Sequence, residues 1–212
     1  MSSSRNSKQF TEPWYTAYYF LQQDIDIRCP ECDGHAISRG KSEYLLPWCP
    51  TGTRVVCTRC SYTRTCEHFS WSGPVKGFGR RPCSACGHKW VNARVNCEST
   101  PQRPFNTVEA PCPECGAVNV VDISWSIDFF SGRPLDPYNG ERLWYVDDVR
   151  GNEIWAYNTA HLTYLREYIS SSLRERGDHA GKYSIITNLP AWMKSKKNRD
   201  DVIKTLDRLM KM

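Results

Sequence analysis

The chain contains no apolar run near the roughly 20 residues that a helix needs to cross a bilayer. Its opening, Met1-Ser-Ser-Ser-Arg-Asn-Ser-Lys8, lacks the hydrophobic core of a secretory signal. A soluble, cytoplasmic protein with no membrane partner is the expectation. Histidine is scarce, at five in 212 residues. No Ser/His/Asp set, phosphate-cradling glycine loop or pair of catalytic carboxylates occurs at a recognisable spacing. The expectation is therefore no catalytic residues, no enzyme and no small-molecule substrate. Residues 1 to about 12 are rich in Ser, Asn and Lys, offer little to bury, and read as disordered.

Cysteine, by contrast, is abundant. Eight of the eleven cysteines form four Cys-x-x-Cys pairs: Cys29/Cys32, Cys57/Cys60, Cys83/Cys86 and Cys112/Cys115. Where glutathione keeps thiols reduced, such pairs read as metal ligands rather than disulfides. Two residues between thiolates let both sulfurs of one tight turn reach a metal at about 2.3 Å, and two such turns close a tetrahedron. Two structural Zn2+ sites with four cysteines each are expected. Redox-active dithiols fit poorly, because they require a βαβ setting and one motif rather than four. Spacing does not exclude iron. It also leaves two pairings open: sequential, or cross-braced with Cys29/Cys32 joining Cys83/Cys86. The first ligands of the two halves recur at a period of 54 to 55 residues, which reads as internal duplication.

The formal charge is +5 with neutral thiols. Eight thiolates and two Zn2+ lower it to about +1, so net charge says little about a phosphate partner. Local distribution says more. Residues 28 to 103 hold twelve Lys/Arg against five Asp/Glu. Arg54, Arg59, Arg64, Lys76, Arg80, Arg81, Lys89, Trp90 and Arg94 interleave cations with an aromatic ring, the pattern of a nucleic-acid contact. The bland alternative is an ordinary solvated surface. Lys194, Lys196, Lys197 and Arg199 beside Trp192 form a second cluster, which also suits a solvated helix start.

The fold expected is small, metal-stapled and β-rich. Residues 1–24 form a disordered start and an aromatic arm, 25–75 a first metal unit, and 76–125 a second. Lys76-Gly-Phe-Gly-Arg-Arg81 reads as the linker between them, and residues 126–212 as an α+β module. That module holds a hairpin of Glu141–Val146 and Asn152–Tyr157 turning at Asp147–Gly151. A helix follows over about 159–176, with Leu162, Leu165, Ile169 and Leu173 on one face and Gly177 as its stop. After Tyr183–Ile186, Pro190 opens a second amphipathic helix carrying Val202, Ile203, Leu206, Leu209 and Met210. Cys49, Cys66 and Cys97 read as small buried or incidental thiols. His35 and His88 read as neighbours of the ligands, and His161 as a packed residue in a first helical turn. Asn158-x-x-His161 also brings to mind a metal-dependent nuclease helix, but no second histidine stands on the preceding strand.

The knuckles Cys29-Pro-Glu-Cys32, Cys83-Ser-Ala-Cys86-Gly87 and Cys112-Pro-Glu-Cys115-Gly116 resemble those of the zinc-ribbon (rubredoxin-like knuckle) superfamily. Cys57-Thr-Arg-Cys60-Ser61 lacks the glycine. Segments 154–168 and 189–199 look like small uncharacterised bacterial zinc-ribbon proteins. The resemblance implies tandem zinc ribbons over about 90 residues. Ribbons serve transcription factors, replication proteins, nucleases and adaptors alike, so it implies no single activity. Three functions stay open: a two-zinc adaptor touching nucleic acid, a protein-binding subunit of a larger complex anchored by aromatics such as Trp14, Tyr18 and Tyr19, and a nuclease.

Overall fold

The computed structural model describes residues 9–40, 44–46, 49–50, 52–67, 71–101, 105–128, 133–175 and 184–212. Disorder was expected over residues 1 to about 12: residues 1–8 lie outside what it describes, as do Tyr183 and the side chains of Tyr18 and Cys49, whereas Gln9–Thr11 is a strand, held by parallel pairing with residues 173–175. The described residues are β-rich, with four α-helices. The chain divides into two compact units, residues 1–70 with 134–212, and residues 71–133. Among the described residues, no helix is long and apolar enough to cross a membrane.

The first unit opens with β1 (Gln9–Thr11) and the short helix α1 (Ala17–Leu21). A four-stranded antiparallel sheet follows, ordered β2 (Ile25–Arg28), β3 (His35–Gly40), β6 (Thr53–Cys57), β7 (Thr63–Cys66). The small hairpin β4 (Tyr44–Leu46) and β5 (Cys49–Pro50) fills the excursion between β3 and β6. Alternation sets the faces: Ile25, Ile27, Ala36 and Val55 are buried, whereas Arg54 and Val56 are exposed.

The second unit contains β8 (Val75–Arg81), β9 (Val91–Cys97) and β12 (Ser124–Ile127) in a three-stranded sheet ordered β12-β8-β9. The hairpin β10 (Thr107–Pro111)–β11 (Val118–Asp122) completes it. The Lys76–Arg81 segment expected to be a linker is therefore the central strand of this sheet. Its glycines are needed inward. On β8, Val75, Gly77 and Gly79 are buried in alternation with exposed Lys76, Phe78 and Arg80. A Cβ on Gly79 would stand 1.9 Å from the Asp122 carbonyl oxygen, and one on Gly77 2.8 Å from Ile123 Cδ1. The end of β11 thus rests on the backbone of β8, and only glycine leaves room for it.

In the third expected module, the hairpin is β13 (Tyr145–Val149) and β14 (Asn152–Ala156), turning on Arg150 and Gly151, both at positive φ. Residues 142–144, expected as the start of its first strand, instead run along the free edge of β2. Arg28 N–H donates to the Arg142 carbonyl at 2.7 Å, Trp144 N–H to Asp26 at 2.9 Å, and Asp26 N–H to Tyr157 at 2.8 Å. That edge pairing is why the C-terminal part belongs with the first cysteine sheet rather than standing as a separate domain.

The loop before it also docks on the sheet. Asp136 is fully buried and accepts from Tyr138 N–H and Asn139 Nδ2. Asn139 donates to Ser38 Oγ and accepts from Thr53 Oγ1. Burial pushes the Asp136 carboxyl pKa up, and these hydrogen bonds oppose the shift.

Helix α2 (Thr159–Ser170) is shorter than expected. Ser170 and Ser171 turn their hydroxyls back to the Glu167 carbonyl, at 3.1 and 2.7 Å. Arg174 donates to the carbonyls of Tyr168 and Ile169. Leu173, expected on the apolar face of the helix, lies instead in β15 (Leu173–Glu175), parallel to β1, and is exposed. After the short helix α3 (Ala191–Lys194) and a 3-10 turn over Lys196–Asn198 comes α4 (Arg199–Leu209). Val149, Ile154, Leu162, Leu165, Ile169, Met193, Val202, Leu206 and Leu209 form one core between this hairpin and the helices.

The glycine contacts give a test. Gly79→Ala destabilises the second unit by about 3 kcal/mol, because the obstacle is backbone. Gly77→Ala costs about 1 kcal/mol, since the Ile123 methyl can move. Amide hydrogen exchange across residues 75–127 measures both. Equal effects would refute the contact between β11 and β8.

Candidate metal centres

All four Cys-x-x-Cys pairs occupy the same local setting: each lies at the turn of an antiparallel hairpin. The hairpins are β2–β3, β6–β7, β8–β9 and β10–β11. In each, the N–H of the first cysteine donates to the carbonyl five residues on. Cys29 pairs with Gly34, Cys57 with Tyr62, Cys83 with His88 and Cys112 with Ala117, at 2.7 to 3.0 Å. Gly87 and Gly116 follow their knuckles at φ 75° and 74°. In the first knuckle that conformation falls on Asp33, at φ 54°. Gly34 has another use there, since a Cβ would meet Arg59 Cδ at 2.6 Å and Cys32 Sγ at 3.2 Å.

Hairpins combine in sequential pairs. Cys29, Cys32, Cys57 and Cys60 form one cluster, and Cys83, Cys86, Cys112 and Cys115 the other. Within each, the sulfurs all lie within 4.8 Å of one another. Sequential pairing therefore replaces the cross-braced alternative. The Sγ–Sγ distances are 3.8 Å for Cys29–Cys60, 3.7 Å for Cys32–Cys57, 3.7 Å for Cys83–Cys115 and 3.8 Å for Cys86–Cys112. A tetrahedron with arms of about 2.3 Å has edges of about 3.8 Å, whereas a disulfide needs about 2.05 Å. The first cysteine of each knuckle is buried and the second exposed, so each centre sits at the edge of its unit.

Electrostatics at the clusters call for a cation. The N–H groups of Cys86 and Ala85 aim at Cys83 Sγ and bring its pKa down to about 6 against burial. At Cys57, burial opposes ionisation, but the N–H groups of Arg59 and Cys60 overcome it and again give about 6. Cys86 goes the other way. The His88 N–H favours its thiolate, yet the neighbouring Cys115 sulfur, burial and the other sulfurs outweigh it and push the pKa to about 12. Cys60 behaves likewise, with Cys57 outweighing the Tyr62 N–H. Four sulfurs this close do not all ionise without a positive charge between them. With four sulfurs spent on one ion, no coordination position is left for a substrate.

Residues around the ligands fix them in place. Asn119, buried on β11, donates to Cys83 Sγ at 3.6 Å and to the Ala117 carbonyl at 2.8 Å, and accepts from Ser84 N–H and Oγ. His35 is not a ligand. Its Nε2 meets Asp26 Oδ1 at 2.7 Å, and its carbonyl accepts from Thr58 N–H and Oγ1. His88 Nδ1 lies 3.9 Å from Glu114. Cys66 lies 4.0 Å from Asn139 and outside both clusters, as does Cys97. Asn119 carried a signal in the sequence: it is the inward polar residue in Val118-Asn-Val-Val-Asp122.

His161 is buried, stacks on Phe20 at 4.6 Å, and accepts from Tyr157 N–H through Nδ1 at 3.3 Å. Burial brings its pKa down to about 3. It is held neutral in the core, where it faces neither solvent nor a metal cluster. Asn158 caps α2 through His161 N–H.

The nine basic and aromatic residues divide between the units. In the first, Arg54 and Arg59 are exposed and Arg64 pairs with Glu141 at 2.8 Å. Lys76, Arg80 and Arg94 share the outward face of the β12-β8-β9 sheet, with Trp90 beside Arg80 at 4.3 Å. Lys89 lies 5.5 Å from the Trp90 ring. Arg81 points the other way and donates to the Val120 carbonyl at 2.9 Å. Lys194 donates to the Thr187 carbonyl, which ties that cluster to its own loop.

These sites define a β-rich protein with two tetracysteine clusters, each of which could hold a metal ion. No protein-family model, curated protein or solved structure matches the chain.

Metal removal should separate the two kinds of core. The second unit's core consists of Cys83, Val91, Ala93, Ala110, Cys112, Val121 and Ile123, so two ligands are part of it. The core around α2 and α4 contains no ligand. A strong chelator, or acidification that protonates the thiolates, should release both ions. Amide protection should then be lost across residues 75–127 but retained in α2 and α4. Loss of helical circular dichroism in step with metal release would contradict this.

Proposed function

We propose that this protein is a non-enzymatic adaptor, built on two Zn2+-stapled ribbons in a reducing, cytoplasm-like compartment, which contacts nucleic acid through its second unit. Zinc suits the four-thiolate sets, and such a closed site has a structural role. The observation that carries the nucleic-acid reading is the outward face of the β12-β8-β9 sheet. Its exposed residues are Lys76, Phe78 and Arg80, then Asn92, Arg94 and Asn96, then Ser124 and Ser126. None is acidic. Lys76 has Asp128 at 3.6 Å, but among the described residues neither Arg80 nor Arg94 has a carboxylate partner. The first unit is less suited, because Arg28, Arg39 and Arg64 are engaged by Asp33, Asp24 and Glu141.

A protein-binding subunit is the second reading. It is favoured by Trp14 and Tyr19, both more than a third exposed, and by the Tyr15–Tyr19 stack at 3.8 Å. The two readings part on salt. Three phosphate contacts should weaken binding to mixed-sequence oligonucleotides by roughly tenfold or more between about 50 and 200 mM salt. Absent or salt-independent binding, measured by fluorescence anisotropy on the metal-loaded protein, removes nucleic acid and leaves the protein partner.

A further inference from the structure

Phosphate attraction makes no use of the aromatic ring at the centre of this face. Phe78 sits on the middle strand, opposite Arg94 on β9 and Ser124 on β12, and is 44% exposed. A large apolar ring at an outward position gains nothing from the sheet's own core. The Arg94 guanidinium lies 5.6 Å from its centroid. Two residues along the strand, Arg80 covers the Trp90 ring at 4.3 Å, and Trp90 is itself 37% exposed. Residues i and i+2 of a strand lie about 7 Å apart on one face. The face thus presents two ring–guanidinium pairs side by side. Between and beside them stand Lys76 and the short hydrogen-bonding side chains of Asn92, Asn96, Ser124 and Ser126.

A duplex keeps the π-faces of its bases stacked inside and would press Phe78 against sugar and phosphate. A single strand offers unstacked bases to the rings and phosphates to the cations at the same time. We propose that this face binds single-stranded nucleic acid, with Phe78 stacking on one base, the Arg80–Trp90 pair on the next, and Arg94 and Lys76 on the backbone. The proposal rests on the nucleic-acid reading above and narrows it to strandedness and to one residue.

The test uses the metal-loaded full chain with three labelled probes: a short oligothymidylate, an oligouridylate of equal length, and a mixed-sequence duplex. Either single strand should bind at least about tenfold more tightly than the duplex, and the two arms tell DNA from RNA. Phe78→Ala should weaken single-strand binding on the order of 10- to 100-fold, and Phe78→Trp should restore it. Neither should change the salt slope. Arg94→Gln should reduce that slope by about 0.7. Phe78 is exposed, so its variants should keep metal content and circular dichroism, which are checked in parallel. Duplex binding equal to single-strand binding overturns the proposal. So does an unchanged affinity for Phe78→Ala alongside a weakened Arg94→Gln, and either result leaves a phosphate-reading face intact. No salt-dependent binding to any probe removes the broader reading as well.

Discussion

Everything in the cysteine-bearing parts depends on four sulfurs held about 3.8 Å apart. Each Cys-x-x-Cys hairpin is short, with five to nine residues between its strands, and has too little apolar surface to fold alone. Backbone N–H groups aimed at Cys57 and Cys83 favour a first thiolate, and the crowding of neighbouring sulfurs resists the next ones. A divalent ion placed between the sulfurs would resolve that conflict and tie two hairpins together in the same event, which would make folding and metal binding one process.

The same hairpin is used four times but joined in two ways. In the first unit, β3 pairs with β6, so two hairpins become one continuous sheet. In the second, the hairpins stay separate, and β11 lies on the inner side of β8. The first solution leaves the edge of β2 free, and the chain covers it with residues 142–144 and the buried Asp136–Asn139 network. The second leaves Lys76, Phe78, Arg80, Asn92, Arg94 and Asn96 exposed on one side of the β12-β8-β9 sheet. That difference, rather than any difference in the metal sites, makes the second unit the better candidate for an external ligand.

Charge follows the same division. With eight thiolates and two divalent ions the formal charge would fall to about +1, so what matters is which cations lack partners. In the first unit, carboxylates from neighbouring strands and loops engage three arginines. In the second, Arg80 and Arg94 lie over aromatic rings. A guanidinium on a ring keeps its charge and its outward donors.

Local chemistry was legible from the residues alone. The Cys-x-x-Cys spacing gave the clustered cysteines, and Asn158 a helix cap, because each depends on neighbours within about five residues. The turn read over Asp147–Gly151 is tighter, with Asp147–Val149 in β13 and only Arg150-Gly151 turning. Three features were decided only in three dimensions. Lys76-Gly-Phe-Gly-Arg81 has the composition of a flexible linker, yet it is a central strand whose glycines make room for Asp122, some 43 residues away. Leu173 fits the helical period, but Ser170 and Ser171 end the helix before it and β1 takes it as a strand. The first metal unit and the C-terminal module look separate in sequence, and one sheet edge joins them. By itself the sequence determined which cysteines form the two clusters that could hold metal ions, since the geometry of a Cys-x-x-Cys pair is set within a turn. Which hairpins share a sheet, and which face stays open, depended on contacts between residues far apart in the chain, and only the tertiary structure could decide them.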